Sequence, residues 1–475
     1  MIVDRRLAGC TAGGNTPEQC DLLIKNAFVI TMDERRRLIP NGAVAIKDGL
    51  VLAVGGTKEI AGKYAGKAID AKGGVVHPGL VDCHEHLCFH ITRGWEPDTF
   101  SVHDTWTKFE SKAFPALTAE DQILSTILAQ VEMAKNGITA FCDTGTAFYP
   151  DEVMPYRNEV GIRGFMGSHI GDTFVPELKF LDKDTDKALS YIEHQLAKYG
   201  DGRVKAGVGM SGMGNCSDRL VAEAKKLAAA HGRVLHMHQC VYEAEIEKYR
   251  EKYHQTPIEH LDHLGVLDAG MALVHMIHVS DSDIALLRSA GTHVVHCPGA
   301  SLKFSLGAMS RGKFPQMHEA GISIALGTDA GNWADGLDIL QQVYLAATVH
   351  REVHPRPVSI RGESAFEMAT LGGAGAIGLE NVIGALKPGM SADLVLHKTN
   401  MPECRPAFDP FTNLIYAARS KSVDTVVVQG EIIVEAGRIT RFDEDALYEK
   451  AERAAFRLAE RIGYPLPCSW PVADR

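Results

Sequence analysis

The feature that most constrains the fold of this chain is an alternation. Short apolar runs recur near residues 76–83, 138–142, 162–166, 204–209, 233–237, 271–277, 292–296 and 322–326, with amphipathic helical stretches between many of them. Eight β–α repeats over about 300 residues predict an α/β fold, a (β/α)8 TIM barrel. An open doubly wound sheet is the alternative, but no G-x-G-x-x-G follows an early strand. The clearest helix starts at Thr118, where Asp121 three residues on makes an imperfect capping box. Its stripe of Ile123, Leu124, Ile127, Leu128, Val131 and Ala134 ends at Asn136-Gly137. Another helix is expected over about 281–289, before Gly291, and a last one over about 444–462.

Strand-like pieces flank this middle region. Residues 22–32 and 42–47 read as strands, Asp48-Gly49 as a hairpin turn and 50–55 as its second arm. The pattern returns at 392–397, and again at 423–428 and 431–435 on either side of Gln429-Gly430. The expected organisation is a tail over 1–20, a small β-sandwich built from 21–75 and 385–440, the barrel over 76–384, and a C-terminal helix and tail over 441–475.

Composition narrows the partners. The 475 residues carry 49 basic and 60 acidic side chains, a net charge of −11, which argues against a nucleic-acid partner. No stretch approaches the ~20 apolar residues of a membrane span, and the first residues lack a signal-peptide run. The ten cysteines form no C-x-x-C pair, so a reducing, cytoplasmic location is expected. Histidine is the outlier at 21 residues, and position must decide which of them do chemistry.

Barrel chemistry gathers at the C-terminal ends of the strands. The first run ends in His84-Glu85-His86, and a period of two puts both imidazoles on one face as a chelating pair. The fifth ends in His236-Met237-His238, where His238 is nearer the mouth and the better ligand, and His236 lies a layer deeper. The sixth ends at His275 and runs on to His278, the seventh ends at His296-Cys297-Pro298, and the eighth at Thr328-Asp329. An Asp in that place is a helix cap or a ligand. Together His84, His86, His238 and Asp329 suit one divalent metal per chain, Zn2+ first, with Fe2+, Co2+ or Mn2+ as alternatives. Such an ion lowers the pKa of its water from ~15.7 toward ~7, giving hydroxide at neutral pH.

PGLVDCHEHL, the strand ending HMH, LVHMIHVSDSDIALLRSAGTHVVHCPGASLK and LGTDA together resemble the amidohydrolase superfamily. Within it they are similar to the branch of triazine hydrolases and cytosine-deaminase-like enzymes. GAVAIKDGLVLAVG and ALKPGMSADLVL resemble that branch's split sandwich, so the similarity spans roughly residues 21–465. The resemblance implies that His84, His86, His238 and Asp329 hold the metal. It also implies that Asp329 takes the proton of the attacking water and that His275 steadies the charge of a tetrahedral intermediate. It places His278, His296, Ser301 and Lys303 near the substrate. Trp95 and Trp106 in the long loop over 88–112, together with His169, are further candidates for a pocket around a flat ligand.

The departures from the family pattern bear on mechanism. Deaminases of this branch usually carry a proton-shuttling Glu three residues after the fifth-strand ligand. Here that residue is Val241, and Glu243 is the nearest replacement. Many relatives have a His on the fourth strand, where this chain has Met210-Ser211-Gly212-Met213. Other members bridge two metals with a carboxylated Lys on that strand. Lys205 lies near its start, away from the mouth, so a mononuclear site is expected. Two chemistries remain open. One is hydrolysis of an amide-, carbamate- or urea-like C–N bond. The other is deamination, dechlorination or dealkylamination of a nucleobase- or triazine-like ring. A non-catalytic scaffold of the same fold is the alternative from another class, though all four ligand positions are filled. Family habit implies a homodimer or higher homo-oligomer and a small-molecule substrate.

Overall fold

The computed structural model describes residues 17–168, 170–174, 176–212, 214–353, 360–464 and 470. The chain opens with β1 (Glu18–Ile30), β2 (Leu38–Lys47), β3 (Leu50–Gly56), β4 (Tyr64–Asp70) and β5 (Val75–Pro78). Of the expected tail, 1–16 lies outside the described residues, and strand pairing starts by Glu18. The barrel strands follow: β6 (Leu80–Glu85), β7 (Ile138–Asp143), β8 (Arg163–Met166), β9 (Val204–Ala206), β10 (Val208–Met210), β11 (Leu235–Gln239), β12 (Met271–His275), β13 (His293–His296) and β14 (Ile324–Leu326). The chain then returns to the first sheet with β15 (Leu394–His397), β16 (Val423–Val428), β17 (Glu431–Glu435) and β18 (Arg438–Ile439).

The terminal strands form one nine-stranded sheet ordered β18-β17-β16-β15-β5-β1-β2-β3, with β4 beside β1. Both hairpins turn on two residues with positive φ, Asp48 (52°) and Gly49 (77°), then Gln429 (52°) and Gly430 (76°). Such turns match the right-handed twist of their strands. The two turns also meet. Ala392 donates its N–H to the Gly49 carbonyl (2.9 Å), and Gly430 donates to Ala392 (3.1 Å). The sheet therefore curls back on itself and buries Leu22, Ile24, Val44, Ile46, Leu394 and Val427 from both chain ends in one core.

Two of the expected runs divide. The run over 76–83 supplies β5 to the terminal sheet and β6 to the barrel. The break is Gly79, where a Cβ would lie 1.8 Å from Thr139 Oγ1, so no other residue lets the chain pass from one sheet to the other here. The run over 204–209 breaks at Gly207 into β9, paired with β8, and β10, paired with β11. The barrel is therefore two parallel arrays, of four and five strands. One seam is made by Ile170 beside Met210. The other is made by Asp329, whose N–H donates to the His84 carbonyl (2.9 Å).

The helix at 118 is Ala119–Lys135, and its capping box is complete, because the Asp121 carboxylate accepts from the Thr118 N–H while Thr118 Oγ1 accepts from Asp121. The next expected helix is Asp281–Ala290, closed by left-handed Gly291. The last, Glu444–Ile462, lies against the first, where Lys135 reaches Glu444 (2.8 Å) and Arg461 pairs with Asp121. No helix among the described residues is long and apolar enough to cross a membrane.

One buried fork ties barrel to terminal sheet. The Arg163 guanidinium donates to both Asp393 carboxylate oxygens (2.6 and 2.8 Å) and to Ser391 Oγ (2.7 Å). The two charged side chains are 11% and 1% exposed. Arg163→Ala leaves Asp393 with neutral donors alone. It is expected to lower stability by about 3 kcal/mol in urea unfolding, with Arg163→Lys recovering less than half because an ammonium cannot fork.

Candidate active site

The strand ends bring together His84, His86, His238, His275 and Asp329. On β6, successive side chains alternate, and His84 and His86 both reach the barrel mouth. His84 Nε2 lies 3.4 Å and His86 Nε2 3.6 Å from Asp329 Oδ1. From β11, His238 Nε2 stands 3.4 Å from His86 Nε2. At the end of β12, His275 Nε2 is 3.8 Å from Asp329 Oδ2. Ligand atoms of His84, His238 and His275 all lie within 4.8 Å of one another, as do those of His84, Cys297 and Asp329. His275 thus stands among the possible ligands, and Cys297, just past β13, lies beneath them. Burial, with Asp329 and Asp82 nearby, pushes the Cys297 thiol far up, so it stays a thiol.

This cluster suits a divalent cation. Among the described residues, neither ring nitrogen of His84 has a well-formed hydrogen bond, and Asp329 Oδ2 has none. Unsatisfied buried polar atoms cost about 1–3 kcal/mol each, and a cation here would take one His84 nitrogen and the Asp329 carboxylate among its ligands and so offset part of that cost. Asp329 would be raised by burial, but the imidazoles of His84, His275 and His86 hold it well below the ordinary carboxylate range. Burial dominates at His275 and lowers it to about 4, so the ring is neutral. The backbone is strained at the same places, with φ of +74° at His275 and +72° at Asp329, each costing roughly 1–3 kcal/mol. Beneath, Asp82 accepts from the Thr328 N–H (3.0 Å) and hydroxyl (2.5 Å) and so locks β6 to the residue before Asp329.

Above the cluster is a cleft of about 600 Å³. His86, His238, His275 and Asp329 line its floor, and its walls include Phe89, Trp106, Phe114, Phe174 and Trp333. Glu110, Tyr242 and Asn215 supply further polar groups.

Several expected residues sit elsewhere. Glu243 opens the helix Glu243–Tyr253 with its carboxylate 69% exposed and paired with Arg311, so it cannot shuttle protons in the cleft. Its position at the helix start turns it outward, and the buried face begins at Glu245. Trp95 stacks on Tyr464 (5.4 Å) at the C-terminal helix and does not line the cleft. Lys303 clamps a loop through Asp335 (2.6 Å) and the Asn332 carbonyl (3.0 Å). Ser301 accepts from the Ala308 N–H (3.0 Å), and His296 stacks on Phe314 (3.7 Å). His278 is half-buried outside the cleft lining. His169 and Met213 lie outside the described residues. His236 is buried a layer below His238, and burial holds its ring well below the ordinary imidazole range, as in a core histidine.

Sequence reasoning missed two glutamates. Glu110 lines the cleft from a loop with no motif of its own. Glu245 braces the turn after β11. It accepts from the Cys240 and Val241 N–H groups (both 2.9 Å) and from the Gln239 side chain (2.6 Å). Cys240 there has φ of +55°.

Residues 75–433 match the amidohydrolase family. A 5'-deoxyadenosine deaminase from Methanosarcina mazei is 33% identical over 446 residues, covering 93% of this chain and 99% of its own. A 5-methylthioadenosine/S-adenosylhomocysteine deaminase from Pelotomaculum thermopropionicum is 31% identical, with the same two coverages. Among solved structures, a zinc-bound adenosine deaminase from Xanthomonas campestris superposes with a TM-score of 0.85 at 24% identity, over 94% of this chain and 100% of its own. A zinc-complexed atrazine chlorohydrolase from Arthrobacter aurescens superposes with a TM-score of 0.83 at 21% identity, over 91% and 100%. These two likenesses are of fold.

Glu245→Gln turns one of the brace's acceptors into a donor facing a backbone N–H. It is expected to lower stability by about 1–3 kcal/mol in thermal or urea unfolding and to weaken metal retention, because the turn it holds follows His238 directly.

Proposed function

The chain belongs to the amidohydrolase family, and on that premise we propose that it is a mononuclear aminohydrolase. In this reading it releases ammonia from an amino-substituted nitrogen heteroaromatic ring of the adenine-nucleoside kind. Membership itself makes it a metal-dependent hydrolase of carbon–nitrogen bonds other than peptide bonds. The observation that carries the finer reading is the cleft: aromatic walls suited to a flat ring, no Lys or Arg among the described residues that line it, and the His/Asp cluster as its floor. The names of full-length relatives above 30% identity support the same substrate class.

His84, His86, His238 and Asp329 would hold one zinc ion, whose Lewis acidity makes water nucleophilic near neutral pH. Asp329 is the proton acceptor. Its Oδ1 takes the Ala330 N–H (2.7 Å), and Oδ2 has no hydrogen-bond partner among the described residues. Oδ2 therefore receives the water proton and later delivers it to the departing amine. Neutral His275 donates a hydrogen bond to the charge that develops at the attacked carbon's substituent. The cysteines among the described residues are unpaired and mostly buried, which supports a reducing compartment.

A second reading is hydrolysis of an amide-, carbamate- or urea-like carbonyl. Val241 favours it, because such a carbonyl needs no ring-nitrogen acid. A panel of aminopurine nucleosides, amino-triazines and aryl amides separates the two. The aminohydrolase reading expects ammonia from the nucleosides and about one zinc per chain. Amine release from amides, with no ammonia from any ring, overturns it. Asp329→Asn is expected to lose ~10³-fold or more in turnover and to retain less metal. Wild-type turnover in that variant would remove Asp329 from the chemistry.

A further inference from the structure

Deamination of a ring needs two separate proton deliveries. The ring nitrogen must be protonated as the water oxygen bonds to carbon, and the amino group must be protonated as it leaves. Asp329 can serve water and amine, which share the floor of the cleft. The ring nitrogen lies on another edge of the substrate and needs its own acid. Val241 has no proton to give, and Glu243 is at the surface with Arg311.

We propose that Glu110 is this second acid, and so a catalytic residue of the aminohydrolase reading on which the assignment rests. Glu110 ends the π-helical turn Thr105–Glu110 in the loop after β6. Among the described residues lining the cleft, only Glu110 and Asp329 carry carboxyls. Trp333 Nε1 donates to Glu110 Oε1 (3.3 Å), and Oε2 has no hydrogen-bond partner among the described residues. That arrangement fixes the acceptor oxygen and leaves Oε2–H to the cleft. The carboxyl is held in place from behind, because Glu96 accepts from the Thr105 hydroxyl (2.5 Å) in the same turn and also from Asn332, next to Trp333. Burial first, then the neighbouring Glu96 carboxyl, raise the Glu110 carboxyl well above the ordinary carboxylate range, which favours its proton-bearing form.

The step balances. Glu110 gives its proton to the ring nitrogen as the water oxygen bonds to the adjacent carbon and Asp329 takes one water proton. The carbon–nitrogen bond then breaks, its electron pair leaves with the nitrogen, and Asp329 returns the proton to form ammonia. The remaining hydroxyl proton passes to Glu110 as the carbonyl forms. Both carboxyls are reset. The substrate class follows: the amino-bearing carbon must be flanked by a ring nitrogen with a free lone pair, as in a 6-aminopurine, and an aniline does not qualify.

The test compares wild type with Glu110→Gln, Glu110→Asp and Trp333→Phe, using adenosine and 5'-deoxyadenosine and reading ammonia release, bound zinc and thermal unfolding. The proposal expects Glu110→Gln to keep its zinc and melting behaviour with KM little changed, while kcat falls by ~10²-fold or more. Glu110→Asp should retain more turnover than Glu110→Gln, since it remains an acid. Near-wild-type kcat in Glu110→Gln, on a substrate that wild type deaminates, overturns the role of Glu110 and leaves the aminohydrolase reading standing. If Glu110→Gln fails to fold, unchanged kcat in both Glu110→Asp and Trp333→Phe overturns the proposal. A wild-type chain that releases no ammonia from either nucleoside overturns the nucleoside reading itself, and the assignment of Glu110 with it.

Discussion

A single backbone hydrogen bond, from the Asp329 N–H to the His84 carbonyl (2.9 Å), is the constraint on which the site depends. It closes the barrel between its eighth and first strands. Gly327 makes the seam possible, because a Cβ there would stand 2.7 Å from that of His84. Closure brings the two side chains face to face, 3.4 Å apart, and leaves neither ring nitrogen of buried His84 with a well-formed hydrogen bond among the described residues. Asp82 reinforces the seam through Thr328. A positive φ at Asp329 persists because the bonds on either side over-determine it. The same fit that completes the fold thus creates a set of buried donor atoms that the protein alone does not satisfy.

Strands and loops divide the work. Strand ends supply the imidazoles and the carboxylate, since a ladder fixes side-chain direction to within a few degrees of freedom. Loops supply the walls and Glu110. A long loop must itself be anchored, because its buried backbone and charges need partners. Much of the polar chemistry outside the mouth serves this end. Glu132 accepts from His90 (2.9 Å) and from the Leu337 N–H (3.0 Å), Lys303 clamps Asn332 and Asp335, and Trp95 stacks on Tyr464. Side chains that looked like substrate contacts in the sequence work as struts.

Legibility followed the range of the interaction. His84 and His86 were readable because a strand's period of two is a local rule. Asp48-Gly49 and Gln429-Gly430 were readable because only certain residues take positive φ in a tight turn. The helix at Thr118 was readable from its cap, although the shorter Asp121 closes the box as fully as a Glu would. The single apolar run over 76–83 gave no hint that it serves two sheets, because the break depends on Thr139, sixty residues on. Glu243 lies close to His238 in sequence, but helix phase turns it to solvent and turns Glu245 inward.

The barrel, the strand ends that carry its histidines and aspartate, and the family are all legible in the amino-acid order, since they rest on local periodicity and contiguous motifs. Tertiary structure alone decided which carboxyl faces the cleft, which aromatics line it and which serve as struts, and how the terminal strands curl into one sheet. The physical reason is that those outcomes depend on contacts between segments far apart in the chain. Glu110 meets Trp333 across 223 residues, and no local rule carries information over that distance.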